Sequence, residues 1–420
     1  AMKQNGQTLP SLIVCPASLV LNWAEECQKF TPELSCVVVD GDAAHRAELA
    51  ESWPAADLVV TSYDLLRRDE ALYEGQEFYA CILDEAQAIK NHTTQKYKAV
   101  CKVRSRVRFA LTGTPVENRL GELWSIFSFL MPGYLPPYKS FCSRFEKPIV
   151  QEEDQTAVRR LNQLTGPFIL RRMKSDVLKE LPPKTENVYR IELEEEQRKL
   201  YLAAVVDARE KLQAAKPEDK MAVFAVLMRL REICCDPRLI ADNWEGGSAK
   251  LDACAELVSS AVEGGHRILL FSQFTSMLEL LAKRLDAEGI SHFTLQGSTP
   301  KPVRAELVRR FNGGEVSVFL ISLRAGGTGL NLTAADIVIH YDPWWNVAAQ
   351  NQATDRAYRI GQQNPVQVYK LIAQDTIEEK IVELQQAKQS LADTVTGTAD
   401  GAILSMRPDE LLQLLEGSEP

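Results

Sequence analysis

The sequence has no long apolar run, no Cys-x-x-Cys motif and no excess of positive charge. Its richest apolar run, from Ser11 to Leu21, is broken by Pro16 and falls short of the roughly 20 residues that cross a bilayer. Among its nine cysteines only Cys234 and Cys235 are close together, and these two are adjacent. The absences exclude a membrane protein, argue against a disulfide framework or a zinc site, and favour a reducing compartment.

The charge balance is acidic, since 48 Lys plus Arg against 57 Asp plus Glu gives a net charge of −9. Such a chain has no overall positive field for nucleic acid, so nucleic-acid binding would need local basic patches. One candidate patch is Lys96–Arg108, which holds six basic residues and no acidic one; another comprises Arg171, Arg172 and Lys174. Either could follow a phosphate backbone. For Lys96–Arg108 a solvated charged surface is an equally good interpretation.

Length and composition indicate a globular protein with more than one domain. The chain has 420 residues, of which 45% are hydrophobic and 25% charged, which suits two or three domains. Two blocks alternate short apolar strands with helix-period segments, which predicts an α/β fold of parallel sheets covered by helices. The predicted strands are Leu12–Cys15, Cys36–Val39, Leu58–Thr61, Ala80–Leu83 and Val107–Leu111 in the first block, and Ile268–Phe271, His292–Leu295, Val316–Ile321, Ile337–His340 and Val366–Leu371 in the second.

Strand signals thin out between the two blocks, where helix-period stretches such as Glu194–Leu212 and Met221–Ile233 replace them. We therefore divide the chain into a first block at 1–135, a helical section with a linker at 136–245, a second block at 246–391 and a C-terminal tail at 392–420. The tail contains a leucine-patterned segment, Asp409–Leu415, for which a capping helix is the favoured interpretation.

The first candidate functional motif is the pair Asp84-Glu85, directly after the predicted strand Ala80–Leu83. In nucleoside triphosphatases an acidic residue at the tip of a strand helps to hold Mg²⁺ beside the β- and γ-phosphates. A neighbouring carboxylate can orient or deprotonate the attacking water. The alternative is an acidic first turn of the following helix, which an isolated Asp-Glu pair would favour.

Two further motifs follow predicted strands and are rich in glycine or hydroxyl groups. They are Leu111–Pro115 and the loop that contains Gly326, Gly327 and Gly329. Small residues let a backbone approach a phosphate, and an ordinary turn is the alternative for each motif. The glycine-rich loop is not a P-loop, because no Gly-Lys-Ser/Thr sequence follows it.

Two arginines, Arg356 and Arg359, lie three residues apart in the segment Gln352–Gln362. On a helix this spacing would place both guanidinium groups on one face, where they could neutralise charge on a γ-phosphate. A solvated charged helix face is the alternative. The acidic pair lies in the first block and the arginines in the second, and the sequence therefore predicts one site shared between two lobes.

Taken together, these motifs make the chain resemble the motor of Swi/Snf-type DNA-dependent ATPases, within helicase superfamily two, from about Leu12 to about Leu391. The matching segments are Leu12–Pro16 with Asn22-Trp23 (motif Ia), Thr61-Ser62-Tyr63 (Ib), Asp84–Gln87 (II), Leu111–Pro115 with Glu117-Asn118 (III), Phe271–Phe274 (IV), Ser322–Asn331 with Asp342–Asn346 (V) and Gln352–Gln362 (VI). The pair Trp344-Trp345 and the ending Arg359–Gln362 separate this family from its strand-separating relatives.

The resemblance implies two RecA-like lobes with a helical insertion between them, the first lobe being incomplete, and a brace helix at Asp375–Leu391. It also implies ATP and Mg²⁺ as cofactors, with Asp84 as the metal ligand. The residues that it implies for catalysis are Asp84, Glu85, Arg356 and Arg359, and those for nucleotide binding are Gln87, Thr112, Gly113, Thr114, Gly327, Gly329 and Gln352. Those that it implies for DNA binding are Ser18, Thr61, Ser62, Gln273, Gln296, Gly297, Arg324 and Trp344.

Three departures from the family pattern stand out. Motif II ends in Gln87 where many members have His, and Val347 stands where Pro is usual. The third departure concerns motif I, because no Gly-x-x-x-x-Gly-Lys-Ser/Thr sequence occurs anywhere in the chain. Since that P-loop supplies the lysine for the β- and γ-phosphates, we expect this chain alone to be deficient in ATP hydrolysis.

The function expected from the resemblance is that of a motor that moves along double-stranded DNA and remodels protein–DNA complexes, such as RNA polymerase or another nucleoprotein. One alternative is a strand-separating DNA helicase or an RNA helicase, against which Trp344-Trp345 and Arg359–Gln362 argue. Another is a catalytically inactive scaffold that binds DNA or a partner. The expected location is the cytoplasm, with the nucleoid of a bacterium, or the nucleus of a eukaryote; no membrane association is expected.

Overall fold

Parallel strands alternate with helices through most of the chain, as the apolar runs predict. The computed structural model describes residues 6, 8–113, 120–152, 154–170, 172, 178, 181–216, 219–241, 243–326, 329–344, 346–392 and 408–416. These residues form two compact units that divide at position 171, and the helix at 408–416 belongs to the second unit. The four-part division made from the sequence stays a prediction.

The first unit is built on a five-stranded parallel sheet with the order β2-β3-β1-β4-β5. Its strands are β1 (Ser11–Cys15), β2 (Cys36–Val38), β3 (Leu58–Ser62), β4 (Glu77–Leu83) and β5 (Arg104–Ala110), so all five predicted strands of this block are confirmed. The central strand β1 is buried at four of its five residues, as expected for a strand that is covered on both faces. Parallel pairing brings the carboxyl ends of β1, β3, β4 and β5 to one edge of the sheet.

Helices of the first unit follow the strands, and several begin at a side chain that caps them. The α-helices are Val20–Phe30, Ala43–Ser52, Tyr63–Arg68, Glu70–Tyr73, Gln95–Lys102, Leu120–Leu130, Tyr138–Phe141, Lys147–Gln151 and Gln155–Thr165. The side chains of Asp42, Ser62 and Thr94 accept hydrogen bonds from backbone amides in the first turns of their helices. Caps of this kind fix where the chain leaves a strand and turns back over the sheet.

The second unit contains a six-stranded parallel sheet with the order β6-β11-β10-β7-β9-β8. Its strands are β6 (Lys184–Ile191), β7 (Ile268–Ser272), β8 (His292–Leu295), β9 (Val318–Ser322), β10 (Ile337–His340) and β11 (Val366–Ala373). The last five confirm the predicted strands of the second block. Together, the two parallel sheets and the helices packed on them confirm the predicted α/β fold with two RecA-like lobes.

The sequence does not predict strand β6, because this strand lies in the section from 136 to 245, whose residue pattern indicates helices. It pairs along its whole length with β11 at the edge of the sheet. Six of its eight residues are exposed and only Ile191 is buried. An edge strand with so little apolar surface gives no hydrophobic run, so periodicity could not identify it.

The helices of the second unit include both long helices expected from the sequence. The α-helices are Glu195–Ala214, Lys220–Cys235, Ala249–Glu263, Thr275–Ala287, Lys301–Asn312, Leu323–Gly326, Val347–Thr354, Ile377–Ala392 and Pro408–Glu416. The last of these confirms a helix in the tail, and its Leu411 and Leu415 join an apolar cluster with Tyr201, Leu212 and Leu227. This cluster fixes the tail helix against the pair of long helices.

The core of the second unit also holds a buried ion pair. Lys250 Nζ contacts Glu378 Oε2, and both side chains have no exposed surface. The same carboxylate oxygen accepts a hydrogen bond from the amide of Ala373 at 2.9 Å, and Lys250 lies 5.5 Å from the ring centroid of Tyr341. Burial lowers the pKa of Lys250, but the charge of Glu378 more than offsets this, so the pKa lies above its ordinary value.

All nine cysteines lie within the described residues, and each is a free thiol. Within the same residues, no helix combines the length and apolar character that a bilayer span requires.

Candidate functional site

The acidic pair lies at the carboxyl end of β4, where its backbone is held on both sides. The amide of Asp84 donates to Val14 O at 2.8 Å, and the hydroxyl of Tyr63 donates to Asp84 O at 2.8 Å. Burial, followed by the nearby charge of Asp84, raises the pKa of Tyr63, so its hydroxyl remains a donor at neutral pH. The backbone of Asp84 is therefore fixed to the neighbouring strand β1 and to the helix Tyr63–Arg68 that follows β3.

The carboxylate of Asp84 is oriented by two donors of the same unit. The indole Nε1 of Trp23 donates to Oδ2 at 2.9 Å, and the amide of Glu85 donates to Oδ1 at 2.9 Å. Sequence reasoning placed Trp23 in a motif but gave it no role, since no spacing rule connects it with Asp84. The tertiary contact shows that it positions the carboxylate.

Glu85 has an unusual backbone conformation, with φ 50° and ψ 54°. Such a left-handed conformation costs a non-glycine residue on the order of 1 kcal/mol, and it commonly occurs at functional sites. Gln87 Nε2 donates to Glu85 Oε2 at 2.5 Å. In this conformation the carboxylate of Glu85 faces Gln87, two residues later in the chain.

A chain of hydrogen bonds joins this carboxylate to the end of β5. The hydroxyl of Thr112 donates to Gln87 Oε1 at 2.9 Å, while the amide group of Gln87 donates to Glu85. The backbone is joined too, because the amide of Ala86 donates to Leu111 O at 2.9 Å. The two motifs therefore form one polar group at this edge of the sheet, in which Gln87 links Glu85 to Thr112.

The donor set at this edge fits Mg²⁺. Asp84 and Glu85 supply hard carboxylate oxygens, and each oxygen of Asp84 that accepts one hydrogen bond retains a second lone pair. Among the described residues, no group of three or more His, Cys, Asp or Glu could hold a metal ion by itself. A cation here would need further oxygens from a phosphate or from water, as is usual for Mg²⁺.

Two predicted nucleotide-binding residues of the motifs lie outside the described residues: Thr114 and Gly327. Gly113 is described, and a Cβ added to it would meet no atom within 4 Å, so space alone does not require glycine there. Gly326 is different, because a Cβ would lie 2.6 Å from Cε1 of Phe271. Gly329 has a positive φ of 54°. The loop after β9 therefore needs glycine both for packing and for its backbone conformation.

Arg356 and Arg359 do not lie on a helix, so that prediction is wrong. The helix Val347–Thr354 ends before them, and they lie in consecutive turns closed by Gly361, whose φ is 102°. Nε2 of Gln362 donates to the carbonyls of Thr333, Ala335 and Ala357, and these bonds fix the turns against a neighbouring loop. Local helical spacing could not reveal this tertiary restraint.

Both arginines contact the glycine-rich loop of their own unit. Nε of Arg356 donates to Gly326 O at 3.0 Å, and Nη1 of Arg359 donates to Leu330 O at 3.4 Å. The side chain of Arg356 is buried, whereas that of Arg359 is half-buried. Gln352 lies on the preceding helix and is also half-buried. The structure therefore brings motifs V and VI together through these arginines.

The predicted DNA-binding residues follow the carboxyl ends of strands in both units. Ser18 follows β1, Thr61 and Ser62 end β3, Gln273 follows β7, Gln296 and Gly297 follow β8, Arg324 follows β9 and Trp344 follows β10. Thr61 and Ser62 are buried: the hydroxyl of Tyr73 donates to Thr61 Oγ1 at 3.0 Å, and Ser62 caps the next helix. DNA binding by this set stays a prediction.

The basic patch Lys96–Arg108 is largely paired within the first unit. Lys96, Lys102 and Arg106 contact Asp64, Glu70 and Glu77 respectively. Arg108 donates to the carbonyls of Phe129 and Val103. These contacts favour the interpretation of Lys96–Arg108 as a solvated charged surface and not as a site that follows a phosphate backbone. Of the second patch only Arg172 lies within the described residues.

A buried arginine that the sequence motifs did not include lies beside two of the predicted DNA-binding residues. Arg231, on the helix Lys220–Cys235, donates to Gln273 Oε1 at 2.7 Å and to Asp342 Oδ2 at 3.1 Å. Its guanidinium carbon also lies 5.6 Å from the ring centroid of Trp344. No signal in the sequence distinguishes Arg231 from Arg229, which lies two residues earlier in the same predicted helix.

Comparison with known families gives two matches that together cover most of the chain. The family described as SNF2-related domain matches residues 1–239, and the family described as helicase conserved C-terminal domain matches residues 249–361.

Relatives occur in bacteria and eukaryotes. An uncharacterized ATP-dependent helicase of Mycoplasma pneumoniae is 40% identical over 98% of this chain and 40% of its own length. The human TATA-binding protein-associated factor 172 is 36% identical over 97% of this chain and 26% of its own length. The chain thus spans well under half the length of these curated relatives. A solved Sulfolobus solfataricus SWI2/SNF2 ATPase core in complex with dsDNA is 35% identical, with 97% of this chain and 86% of that chain covered and a TM-score of 0.48.

Proposed function

Because the chain belongs to the SNF2-related family, we propose that it is the motor region of an ATP-dependent translocase on double-stranded DNA that remodels protein–DNA complexes. The relatives named as ATP-dependent helicase and as TATA-binding protein-associated factor support the energy source and the kind of target. The pair Trp344-Trp345 and the ending Arg359–Gln362, which separate this family from strand-separating relatives, support the duplex as substrate. The remodelled complex is a nucleoprotein, for which RNA polymerase is one candidate.

The observation that carries this proposal is the hydrogen-bonded group Glu85–Gln87–Thr112 beside Asp84. Glu85 accepts a proton from, or orients, the water that attacks the γ-phosphate, and Gln87 keeps its carboxylate in place. Asp84, held by Trp23, would provide an oxygen ligand for Mg²⁺. When bound there, the ion would supply positive charge beside the phosphates of the nucleotide.

Thr112 couples the end of β5 to the nucleotide. Its hydroxyl is hydrogen-bonded to Gln87, and Gln87 is hydrogen-bonded to Glu85, whose carboxylate acts on water. A change at Glu85 on hydrolysis therefore alters the restraint on the loop after β5. Gly113, Thr114, Gly327, Gly329 and Gln352 complete the nucleotide-binding set that we propose from the family motifs.

Arg356 and Arg359 supply positive charge to the γ-phosphate in the transition state. Arg356 is already held by Gly326 O and Arg359 by Leu330 O, so their guanidinium groups need little further ordering. We assign DNA contact to the strand ends that carry Ser18, Thr61-Ser62, Gln273, Gln296-Gly297, Arg324 and Trp344.

The chain contains no P-loop sequence, and we therefore propose that it hydrolyses ATP negligibly by itself. The test compares the 420-residue chain with the same chain extended at its N-terminus by a P-loop-bearing segment. We expect ATPase activity stimulated by duplex DNA only in the extended form. Robust DNA-stimulated ATPase activity of the unextended chain would contradict this part of the proposal.

Translocation and strand separation are distinguished with the extended form. A motor that moves along duplex DNA displaces a third strand from a triplex without separating the duplex, whereas a helicase releases one strand of a forked duplex. We expect ATP-dependent triplex displacement and no strand release. Strand release would favour the helicase alternative, and duplex binding without any ATPase activity in the extended form would favour an inactive scaffold.

A further inference from the structure

Arg231 lies in the interior of the second unit, where one guanidinium group contacts the ends of two strands. Nη1 donates to Gln273 Oε1, directly after β7, at 2.7 Å. Nη2 donates to Asp342 Oδ2 at 3.1 Å and to Pro343 O at 2.6 Å, shortly after β10. The side chains of Arg231 and Asp342 have no exposed surface. The arginine therefore fixes the relative positions of two segments that are adjacent only in the folded sheet.

Asp342 receives donors from β7 as well as from Arg231. The hydroxyl of Ser272 donates to Oδ1 at 2.6 Å, and the amide of Gln273 donates to the same oxygen at 3.1 Å. The backbone of Gln273 is thus held by Asp342, while its side-chain carbonyl is held by Arg231. Loss of the arginine would leave the backbone in place and remove the donor to the side-chain carbonyl, while Nε2 keeps its weaker contact with Met228 Sδ at 3.7 Å.

The guanidinium group also packs against two aromatic rings. Its central carbon lies 5.3 Å from the ring centroid of Phe274 and 5.6 Å from that of Trp344. Buried cation–π contacts of this kind restrict both partners. A planar fork can make these contacts and three hydrogen bonds at the same time, which the ammonium of lysine cannot.

We propose that Arg231 is a positioning residue for duplex DNA binding, which it supports by holding the side chains of Gln273 and Trp344 in their binding orientation. This inference rests on the proposed function, which assigns DNA contact to both residues. Because the side chain of Arg231 has no exposed surface, we assign it no direct contact with the DNA backbone. Its role follows from its place, because one side chain from a helix outside the family motifs joins the ends of β7 and β10.

The experiment measures duplex affinity of the 420-residue chain by fluorescence anisotropy for Arg231→Lys, Gln273→Ala and the double variant. We expect Arg231→Lys to weaken binding about tenfold, the effect of losing roughly one hydrogen bond to a charged group. Gln273→Ala should weaken it to a similar extent. The double variant should bind no more weakly than the weaker single variant, because both changes remove the same contact.

The matched control is Arg238→Lys, just beyond the same helix. Arg238 makes a two-pronged contact with Asp236 of its own turn, and its hydrogen bonds within the described residues do not reach β7 or β10. We expect its duplex affinity to equal that of the parent chain. Circular dichroism and thermal unfolding establish that each variant is folded. If Arg231→Lys does not fold, Asp342→Asn tests the network from the other side and should weaken duplex binding in the same direction.

Several results would overturn the inference. Suppose that folded Arg231→Lys, or folded Asp342→Asn, binds the duplex as tightly as the parent chain while Gln273→Ala binds it more weakly. Arg231 would then have no positioning role, although Gln273 would still contact DNA. Additive losses in the double variant would lead to the same conclusion. A fall of about one in the slope of log affinity against log salt for a folded Arg231→Gln variant, which removes the positive charge, would show direct phosphate contact instead. Unchanged affinity of Gln273→Ala would refute the assigned DNA contact, and the inference with it.

Discussion

Replacing Lys250 with methionine tests how the core of the second unit depends on the buried ion pair Lys250–Glu378. The substitution keeps most of the side-chain volume but removes the positive charge beside Glu378, which has no exposed surface. Breaking such a pair costs about 3–5 kcal/mol, because an uncompensated charge remains in the interior. With an m-value near 3 kcal/mol per M, we expect the urea midpoint of this unit to fall by roughly 1.3 M.

The pH dependence has a defined sign. A lone carboxylate in apolar surroundings takes up a proton on folding, so the stability of Lys250→Met should fall as the pH rises from about 5 to 8. The parent pair behaves differently. Because the pKa of Lys250 is raised in the folded state, its contribution is fully present below the ordinary lysine pKa and is lost only as the pH rises through the higher folded value.

The assay is urea unfolding followed by circular dichroism, with hydrogen exchange of β11 and of the helix Ala249–Glu263 to locate the loss. Adding Glu378→Gln to Lys250→Met should recover at least about 2 kcal/mol, because the amide still accepts from Ala373 and carries no charge. Lys199→Met, at an exposed pair with Glu195, is the matched control and should leave the midpoint unchanged. A fall in the midpoint of less than a few tenths of a molar for Lys250→Met would refute the reasoning.

Three predictions concern the chain extended by a P-loop segment. Glu85→Gln should lower ATP turnover by at least about 10²-fold while nucleotide affinity is retained, and near-parental turnover would contradict its assignment. Arg356→Ala and Arg359→Ala should each lower turnover about 10³-fold with duplex affinity unchanged, and lysine should rescue neither; equal losses in turnover and DNA affinity would indicate a structural or DNA-contacting role. Trp23→Phe removes the donor to Asp84 and should raise the Mg²⁺ concentration for half-maximal ATPase activity about tenfold, whereas an unchanged Mg²⁺ dependence would exclude this positioning role.

The sequence predicts the strands that are buried on both faces, because such strands consist of consecutive apolar residues. β7 and β9 are buried at every residue, so each is a continuous apolar run with one possible interpretation. β6 is exposed along most of its length and pairs only at one edge, and its residues give no such run. Its position depends on the partner strand β11, which local sequence cannot specify.

The candidate site was predictable as a set of motifs but not as a set of contacts. The place of Asp84 and Glu85 after a buried strand was enough to identify them. The bond between Gln87 and Thr112 depends on β4 and β5 being neighbours, and the bond between Trp23 and Asp84 depends on the helix after β1. The turns that hold Arg356 and Arg359 likewise depend on Gln362 reaching a separate loop. Each contact that the sequence does not predict joins residues that are distant in the chain.

The pairing of β6 with β11 also determines the order in which the sheets of the two units can form during synthesis. All five strands of the first sheet have left the ribosome once Ala110 has emerged, whereas β6 must wait for a partner that comes later by 184 residues at the Glu186–Lys370 pair. At about 5–20 residues per second this interval is roughly 10–40 s. During that time β6 has an open edge, and its six exposed residues, which include Lys184, Glu186 and Arg190, disfavour pairing with another chain. The polar residues that make β6 hard to predict from the sequence thus also disfavour its pairing with another chain until β11 has been synthesised.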